Sequence, residues 1–272
     1  MAKLRVGAVS YLNTKPLIQR LPELAPEVDL SLDVPSRLAV DLSEGRLDVG
    51  LIPSIEYFRA ENYTIVPGVC IASFGPVMSV KLCSRIPLPA IRTVALDEGS
   101  RTSVALMKIL LLQLFDVEPA TAPFPMDGRL SDVEEDAVLL IGDRAMRVRD
   151  GEYPYTLDLG YEWSRWTGLP FVFAFWCVRS GVEVPPRTLQ AFVKAKDLGR
   201  RSVPEIAEVE AERLGIDVTR CRYYLEYVIR HDFTPLEIEG LDRFRRLAVE
   251  QELAAEGVDC VFHGSRDLAQ SR

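Results

Sequence analysis

Apolar runs of strand length alternate with stretches of helical spacing through the first sixty positions. Leu4 to Ser10, Val28 to Pro35 and Asp48 to Pro53 predict three buried strands. Helices are predicted from Thr14, over Ser36 to Glu44, and from a capping Ser54 through Tyr57 and Phe58. This β-α-β-α rhythm predicts a mostly parallel sheet. From Tyr63 to Arg85 the pattern turns β-rich, with Val77, Ser79, Lys81 and Cys83 alternating against Met78, Val80 and Leu82. Pro87 and Pro89 then punctuate the chain, and a crossing between lobes is expected there.

A second unit begins with a strand at Thr93 to Asp97, turns through Glu98 to Ser103 and enters an apolar helix from Val104 to Phe115. Ala137 to Asp143 is a further buried strand. Thr156 to Gly160 leads into a short helix ended by Gly168 and Pro170, and Phe171 to Arg179 predicts a long strand returning to the first lobe. Beyond Pro185 and Pro186 the chain reads as helix. Core-facing stripes are expected at Leu189, Phe192 and Val193; at Ile206, Val209 and Leu214; at Cys221, Tyr224, Leu225 and Val228; and at Leu241, Phe244, Leu247 and Leu253. The pattern implies α/β architecture in two lobes, with 1–86 and 180–272 forming lobe I and 87–179 forming lobe II. Such a fold places its ligand in a central cleft, where helix N-termini converge.

Composition narrows the function. The 272 residues suffice for two lobes with real cores, since single cores stop growing at roughly 250–300 residues. A net charge of -8 with no basic run argues against nucleic acid as partner. No apolar stretch reaches about 18 residues, so no membrane span is expected. Met1 to Val6 leads into a strand without the features of a secretory signal, and the five cysteines are scattered in apolar surroundings. Buried free thiols in a cytoplasmic protein are expected. Neither a metal site nor a cofactor is expected: the only histidines, His231 at an expected helix end and His263 near the terminus, have no ligand spacing. No P-loop, dinucleotide glycine motif or Gly-x-Ser-x-Gly elbow is present.

The polar residues at expected strand ends make a cleft inventory of Ser10, Tyr11, Asn13, Ser54, Ser79, Thr102, Ser103 and Asp143. Hydroxyls and amides dominate it, which suits carboxylate or phosphate binding by neutral donation. Ser100 to Ser103 is the leading anion candidate, because hydroxyls and Arg101 stand where free N–H groups open a helix. Each feature also has a plainer reading. Asn13 and Thr14 before Pro16, one hydroxyl of the Ser100 to Ser103 group, and Asp143 could each simply cap a helix. Asp97 and Asp158 share the ambiguity of Asp143, and the aromatic set Tyr161, Trp163, Trp166, Phe173 and Trp176 reads mainly as core.

Several motifs in order carry a resemblance. They are Val-Ser-Tyr-Leu-Asn-Thr-Lys-Pro-Leu near the start, Leu-Ile-Pro-Ser-Ile-Glu-Tyr at 51–57 and Gly-Pro-Val-Met-Ser-Val at 75–80. Further on stand Ser-Arg-Thr-Ser-Val-Ala-Leu at 100–106, Leu-Ile-Gly-Asp at 140–143 and Trp-Thr-Gly-Leu-Pro-Phe-Val-Phe-Ala at 166–174. Over roughly the first two thirds of the chain the sequence resembles the chorismate dehydratases of the futalosine route to menaquinone. The resemblance implies a two-lobed, periplasmic-binding-protein-like (type II) fold working as an enzyme, a hydro-lyase, with the dianion chorismate as substrate and a monomer or weak homodimer as the working form. It implies that Asn13 and Ser79 lie closest to the chemistry, that Thr102 and Ser103 grip a carboxylate, and that Ser54 lines the same pocket. The alternatives are the 1,4-dihydroxy-6-naphthoate synthase of the same route, expected to need a histidine base in the second lobe, and a non-catalytic binder of aromatic or dicarboxylic acids.

Overall fold

A computed structural model describes residues 3–60, 62–149 and 151–264. The first two and last eight positions of the expected first lobe lie outside the described residues. The strands in chain order are β1 (Leu4–Val9), β2 (Val28–Asp33), β3 (Val49–Pro53), β4 (Thr64–Ser73), β5 (Val80–Ser84), β6 (Thr93–Asp97), β7 (Ala120–Phe124), β8 (Ala137–Ile141), β9 (Tyr155–Asp158), β10 (Phe171–Val178) and β11 (Ile229–Arg230). They form a six-stranded sheet in the order β11-β4-β10-β3-β1-β2 and a five-stranded sheet in the order β7-β6-β8-β5-β9. The architecture is the two-lobed α/β one.

Strands joined through helices run parallel, as β1 does to β2 and β3, and β6 to β7 and β8. Strands that arrive from the other lobe run antiparallel, as β10 does between β3 and β4. The change of sheet falls between Ser73 and Val80, because β5 pairs with β8 and β9. This corrects the crossing expected at Pro87 and Pro89, which respectively precede and sit within a single 3-10 turn at Leu88–Ala90 instead. The chain returns just ahead of Phe171. Sheet pairing thus groups 80–84 with the second sheet and 171–178 with the first, so the lobe boundaries expected at 86/87 and 179/180 do not coincide with the sheet boundaries.

The helix Thr102–Phe115 is apolar on most of its circumference and is buried accordingly. It belongs to the second β-α unit, yet packs on the helices Ser54–Arg59 and Pro235–Glu250 and on β10. One continuous apolar core therefore runs from Val6 and Leu51 through Leu106 and Leu110 to Leu139.

Among the described residues the tail holds the α-helices Pro186–Arg201, Val203–Leu214, Val218–Tyr223 and Pro235–Glu250. It departs from the all-helical expectation at one place. Tyr224–Val228 is a π-helical stretch, followed at once by β11, which pairs with β4. Val209, expected in a core stripe, is 67% exposed. The tail also fixes the first loop of the chain. A Cβ on Gly199 would lie 1.8 Å from the Pro16 carbonyl oxygen, so the two helices cross at backbone contact, which only glycine allows.

Candidate active site

The Ser10 to Asn13 segment leaves the carboxyl end of β1 and is held on both sides. Leu12–Thr14 is a single 3-10 turn, followed by the short helix Lys15–Ile18; neither start is capped by a side chain. The capping role open to Asn13 and Thr14 is therefore not the one they have. The Leu12 N–H donates to Asp143 Oδ1 at 3.0 Å, and the Asn13 carbonyl accepts from His231 Nε2 at 2.8 Å. His231 is buried, and burial pushes its pKa down to about 4, so the ring is neutral and its Nε2 carries the proton. It follows β11 rather than ending a helix, which corrects the expectation for this residue. Thr14 Oγ1 donates to Asn13 Oδ1 at 3.3 Å, which leaves the amide N–H pair of Asn13 to face other groups.

Ser79 is the last residue before β5 and sits on a strained turn. Its N–H donates to the Val77 carbonyl at 2.7 Å across Met78, whose φ is 61. A three-residue turn with a non-glycine residue at positive φ is rare and unfavourable, so something must hold it. Asp158 does so. Its carboxylate accepts from Val77 N at 2.9 and 3.1 Å and from Met78 N at 2.7 Å, and it also caps the helix Leu159–Thr167 through Tyr161 N at 3.0 Å. The Ser79 hydroxyl accepts from the Tyr224 hydroxyl at 2.8 Å.

The second lobe contributes the start of the helix Thr102–Phe115. Its N-cap position is Arg101, and no side chain caps it. The Thr102 hydroxyl instead accepts from Ile55 N at 3.2 Å across the lobes and lies 3.4 Å from Ser54 Oγ. Ser54 is the first residue of its helix, not the cap expected of it, and its proton goes to the Val172 carbonyl at 2.8 Å. Ser100 Oγ is buried without a protein partner. An orphaned hydroxyl beside the free N–H groups of a helix start suits an anion.

Tyr11 closes the wall between the lobes. Its ring lies on Gly142, where φ is +57 and a Cβ would fall 2.6 Å from the ring, so both backbone and space require glycine. Asp97 is buried nearby, with Oδ1 accepting from Gly99 N at 3.0 Å and Oδ2 paired with Arg144 at 3.1 Å. Burial raises the carboxyls of Asp97, Asp143 and Asp158 above their usual range, against the pull of the N–H and guanidinium groups bonded to them. Burial and the carboxylates of Asp97 and Asp143 raise Tyr11 as well, so its phenol keeps its proton.

The resulting cleft brings together Tyr11, Asn13, Ser79, Ser100, Thr102 and Ser103, with Arg101 at its edge and Ile71, Val77, Ile141, Phe173 and Ile229 as apolar wall. Three residues expected at the ligand are placed otherwise: Ser10 is not part of the lining, Ser54 lies wholly buried behind Thr102, and Asp143 is turned to the Leu12 N–H and to Arg213 at 3.5 Å. Tyr224 and His231, which support the site, read in the sequence only as a core position and a helix end. Their positions at helical spacing or beside an acidic residue carry no trace of partners more than a hundred residues away. Among the described residues no group of three or more His, Cys, Asp or Glu is placed to hold a metal ion, and no helix is long and apolar enough to cross a membrane.

The family described as menaquinone biosynthesis matches residues 4–250. The chain belongs to this family. A chorismate dehydratase of Thermus thermophilus is 34% identical over 71% of this chain and 76% of its own length. A second chorismate dehydratase, from Campylobacter jejuni, is 28% identical over 91% of this chain and 99% of its own. Among solved structures, the periplasmic aliphatic sulphonate binding protein SsuA of Escherichia coli superposes with a TM-score of 0.61 at 17% identity, covering 95% of this chain and 90% of that one. This last likeness concerns the fold alone, which is periplasmic-binding-protein-like.

Proposed function

We propose that this member of the family is a chorismate dehydratase, converting chorismate to 3-[(1-carboxyvinyl)oxy]benzoate and water. We place it in the cytoplasm, on the futalosine route to menaquinone, as a monomer or weak homodimer. The observation that carries this reading is the meeting of Asn13 and Ser79 in one cleft, opposite a helix start whose hydroxyls are not used as caps.

The chemistry asks for what this cleft has. Chorismate is a dianion; Ser100, Thr102, Ser103, the free N–H groups above them and Arg101 supply donors for a carboxylate, each net bond to a charged group contributing roughly 1.5–3 kcal/mol. The ring proton at C3 is vinylogously activated by the ring carboxylate. The substrate's own side-chain carboxylate removes it, the electron pair delocalises, and the C4–O bond breaks. The departing hydroxide takes up the proton and leaves as water, while the ring becomes aromatic. Aromatisation supplies the driving force, so the protein has to orient and stabilise charge more than to act as a strong base. Asn13 and Ser79 hold the ring and donate to the leaving oxygen. Both histidines are engaged away from the second sheet, His231 at Asn13 and His263 at Thr64, which gives the naphthoate synthase alternative no base there.

The test is to incubate the purified protein with chorismate, with no metal or nucleotide added, and to follow products by chromatography against a protein-free control. Protein-dependent appearance of 3-[(1-carboxyvinyl)oxy]benzoate is expected. Chorismate that survives unchanged contradicts the reading, and a rise in melting temperature without turnover would mark a binder.

A further inference from the structure

Three tyrosines, Tyr223, Tyr224 and Tyr227, lie at the junction between the helix Val218–Tyr223 and β11. Two of them face solvent, at 54% and 73% exposed, while Tyr224 is 1% exposed. Tyr223 and Tyr227, four positions apart, share one face and Tyr224 turns to another; a π-helical stretch starts at Tyr224, and such stretches occur often at functional sites. If the position needed only aromatic bulk, phenylalanine would fill it without a buried polar atom, as Phe171, Phe175 and Phe192 do elsewhere in the core.

The Tyr224 hydroxyl instead meets the residues placed at the chemistry. It donates to Ser79 Oγ at 2.8 Å, and the side chain of Asn13 lies near enough to favour the ionised phenol against the effect of burial. Because Thr14 donates to Asn13 Oδ1, the group of Asn13 left to face the phenol is its N–H. The bond between Tyr224 and Ser79 runs in one direction, from the Tyr224 proton to the Ser79 oxygen. With one lone pair of Ser79 Oγ occupied from behind, the Ser79 proton is left for a group in the cleft. Burial holds the Tyr224 phenol well above its usual pKa, so it remains a donor throughout the working pH range.

We propose that Tyr224 is a positioning residue that sets the direction of hydrogen bonding at the reaction centre, fixing Ser79 as a donor toward the hydroxyl that leaves the substrate. The proposal rests on the dehydratase reading. It assigns Tyr224 no proton transfer and no substrate contact.

The test compares the wild type, Tyr224→Phe, Ser79→Ala and the double variant in chorismate turnover. For Tyr224→Phe, kcat is expected to fall about 30-fold or more with KM within about threefold, and the double variant to be no slower than Ser79→Ala alone, because acting through one another makes the losses non-additive. Site-specific 3-fluorotyrosine at 224 should restore turnover, which separates the hydroxyl from the fold if Tyr224→Phe is unstable. An independent readout needs no substrate: the slowly exchanging hydroxyl proton of Tyr224, followed by NMR, is expected to shift in Ser79→Ala and in Asn13→Ala. A Tyr224→Phe variant with wild-type kcat, or losses that multiply in the double variant, overturns the proposal. Absence of wild-type turnover with the NMR shift intact overturns the dehydratase reading and leaves the hydrogen-bond chain standing; absence of the shift with wild-type turnover present overturns the chain alone.

Discussion

Asn13 and Ser79 each follow a residue whose backbone N–H is held by a half-buried aspartate, and the two aspartates differ in an instructive way. Asp158 takes the N–H groups of Val77, Met78 and Tyr161, all on or beside the crossing that carries Ser79. Asp143 takes one, that of Leu12, from across the cleft, and otherwise faces Arg213 at 3.5 Å. The first is a complete local clamp on a strained turn. The second is a thinner link between lobes, of the kind that domain opening would break and closing would remake. Fixing Ser79 is therefore a matter of folding, while fixing Asn13 is partly a matter of closure.

This contrast orders the expected effects. Asp158→Ala removes the acceptor of three N–H groups and the restraint on Met78; it should cost about 3 kcal/mol in urea denaturation and reduce turnover at least about a hundredfold. Wild-type stability for this variant would mean that the positive φ at Met78 is held by something else.

The Asn13 loop has its second support in His231, and that support depends on pH. The folded pKa of about 4 lies below the ordinary value of 6.5, so between these values the unfolded chain binds more protons than the folded one. Stability should rise with pH through that window and fall on acidification, by roughly 3 kcal/mol in full. The raised carboxyls of Asp97, Asp143 and Asp158 act in the opposite sense, stabilising less as pH rises above the usual carboxylate range. The difference between wild type and His231→Gln isolates the histidine, because the carboxyl contributions cancel. The variant should lose most of the histidine slope in denaturation between pH 4 and 6.5, and equal slopes would remove His231 from the account.

Gly142→Ala places a methyl 2.6 Å from the Tyr11 ring and strains a φ of +57; about 2 kcal/mol of destabilisation and a raised KM are expected from thermal melts and steady-state kinetics. Asp143→Asn should be the mildest. Its Oδ1 can still accept from Leu12, so a loss of about 1 kcal/mol or less in urea denaturation is expected, with the effect falling on KM rather than kcat. A large kcat loss would show that the two aspartates are equivalent after all.

How legible this was in the sequence depends on the range of the interaction. The rhythm of β1 to β3 and the return of β10 were legible because apolar runs of fixed period decide them locally. Tyr11, Asn13, Ser79, Ser100, Thr102 and Ser103 were legible as a set because strand ends gather at one face of an open α/β sheet. The roles of Ser54 and Thr102 were not. Local rules make a hydroxyl at a helix start a cap, and here Thr102 is drawn to Ile55 across the lobes, 47 positions away, and Ser54 to Val172 on the neighbouring strand, 118 positions away. Tyr224 was read as one more core position, since helical spacing gives a burial and says nothing about a hydroxyl 145 positions from its partner. The crossing at Pro87 and Pro89 was misplaced because proline marks a turn without saying which sheet the strand before it joins.

The central claim is that Asn13 and Ser79 act together on chorismate in this cleft. The most direct measurement is turnover of chorismate by wild type, Asn13→Ala and Ser79→Ala, with binding followed in parallel by calorimetry. The account predicts product from the wild type, and variants that still bind within about tenfold while turning over at least about a hundredfold more slowly. Full turnover by either variant would contradict it.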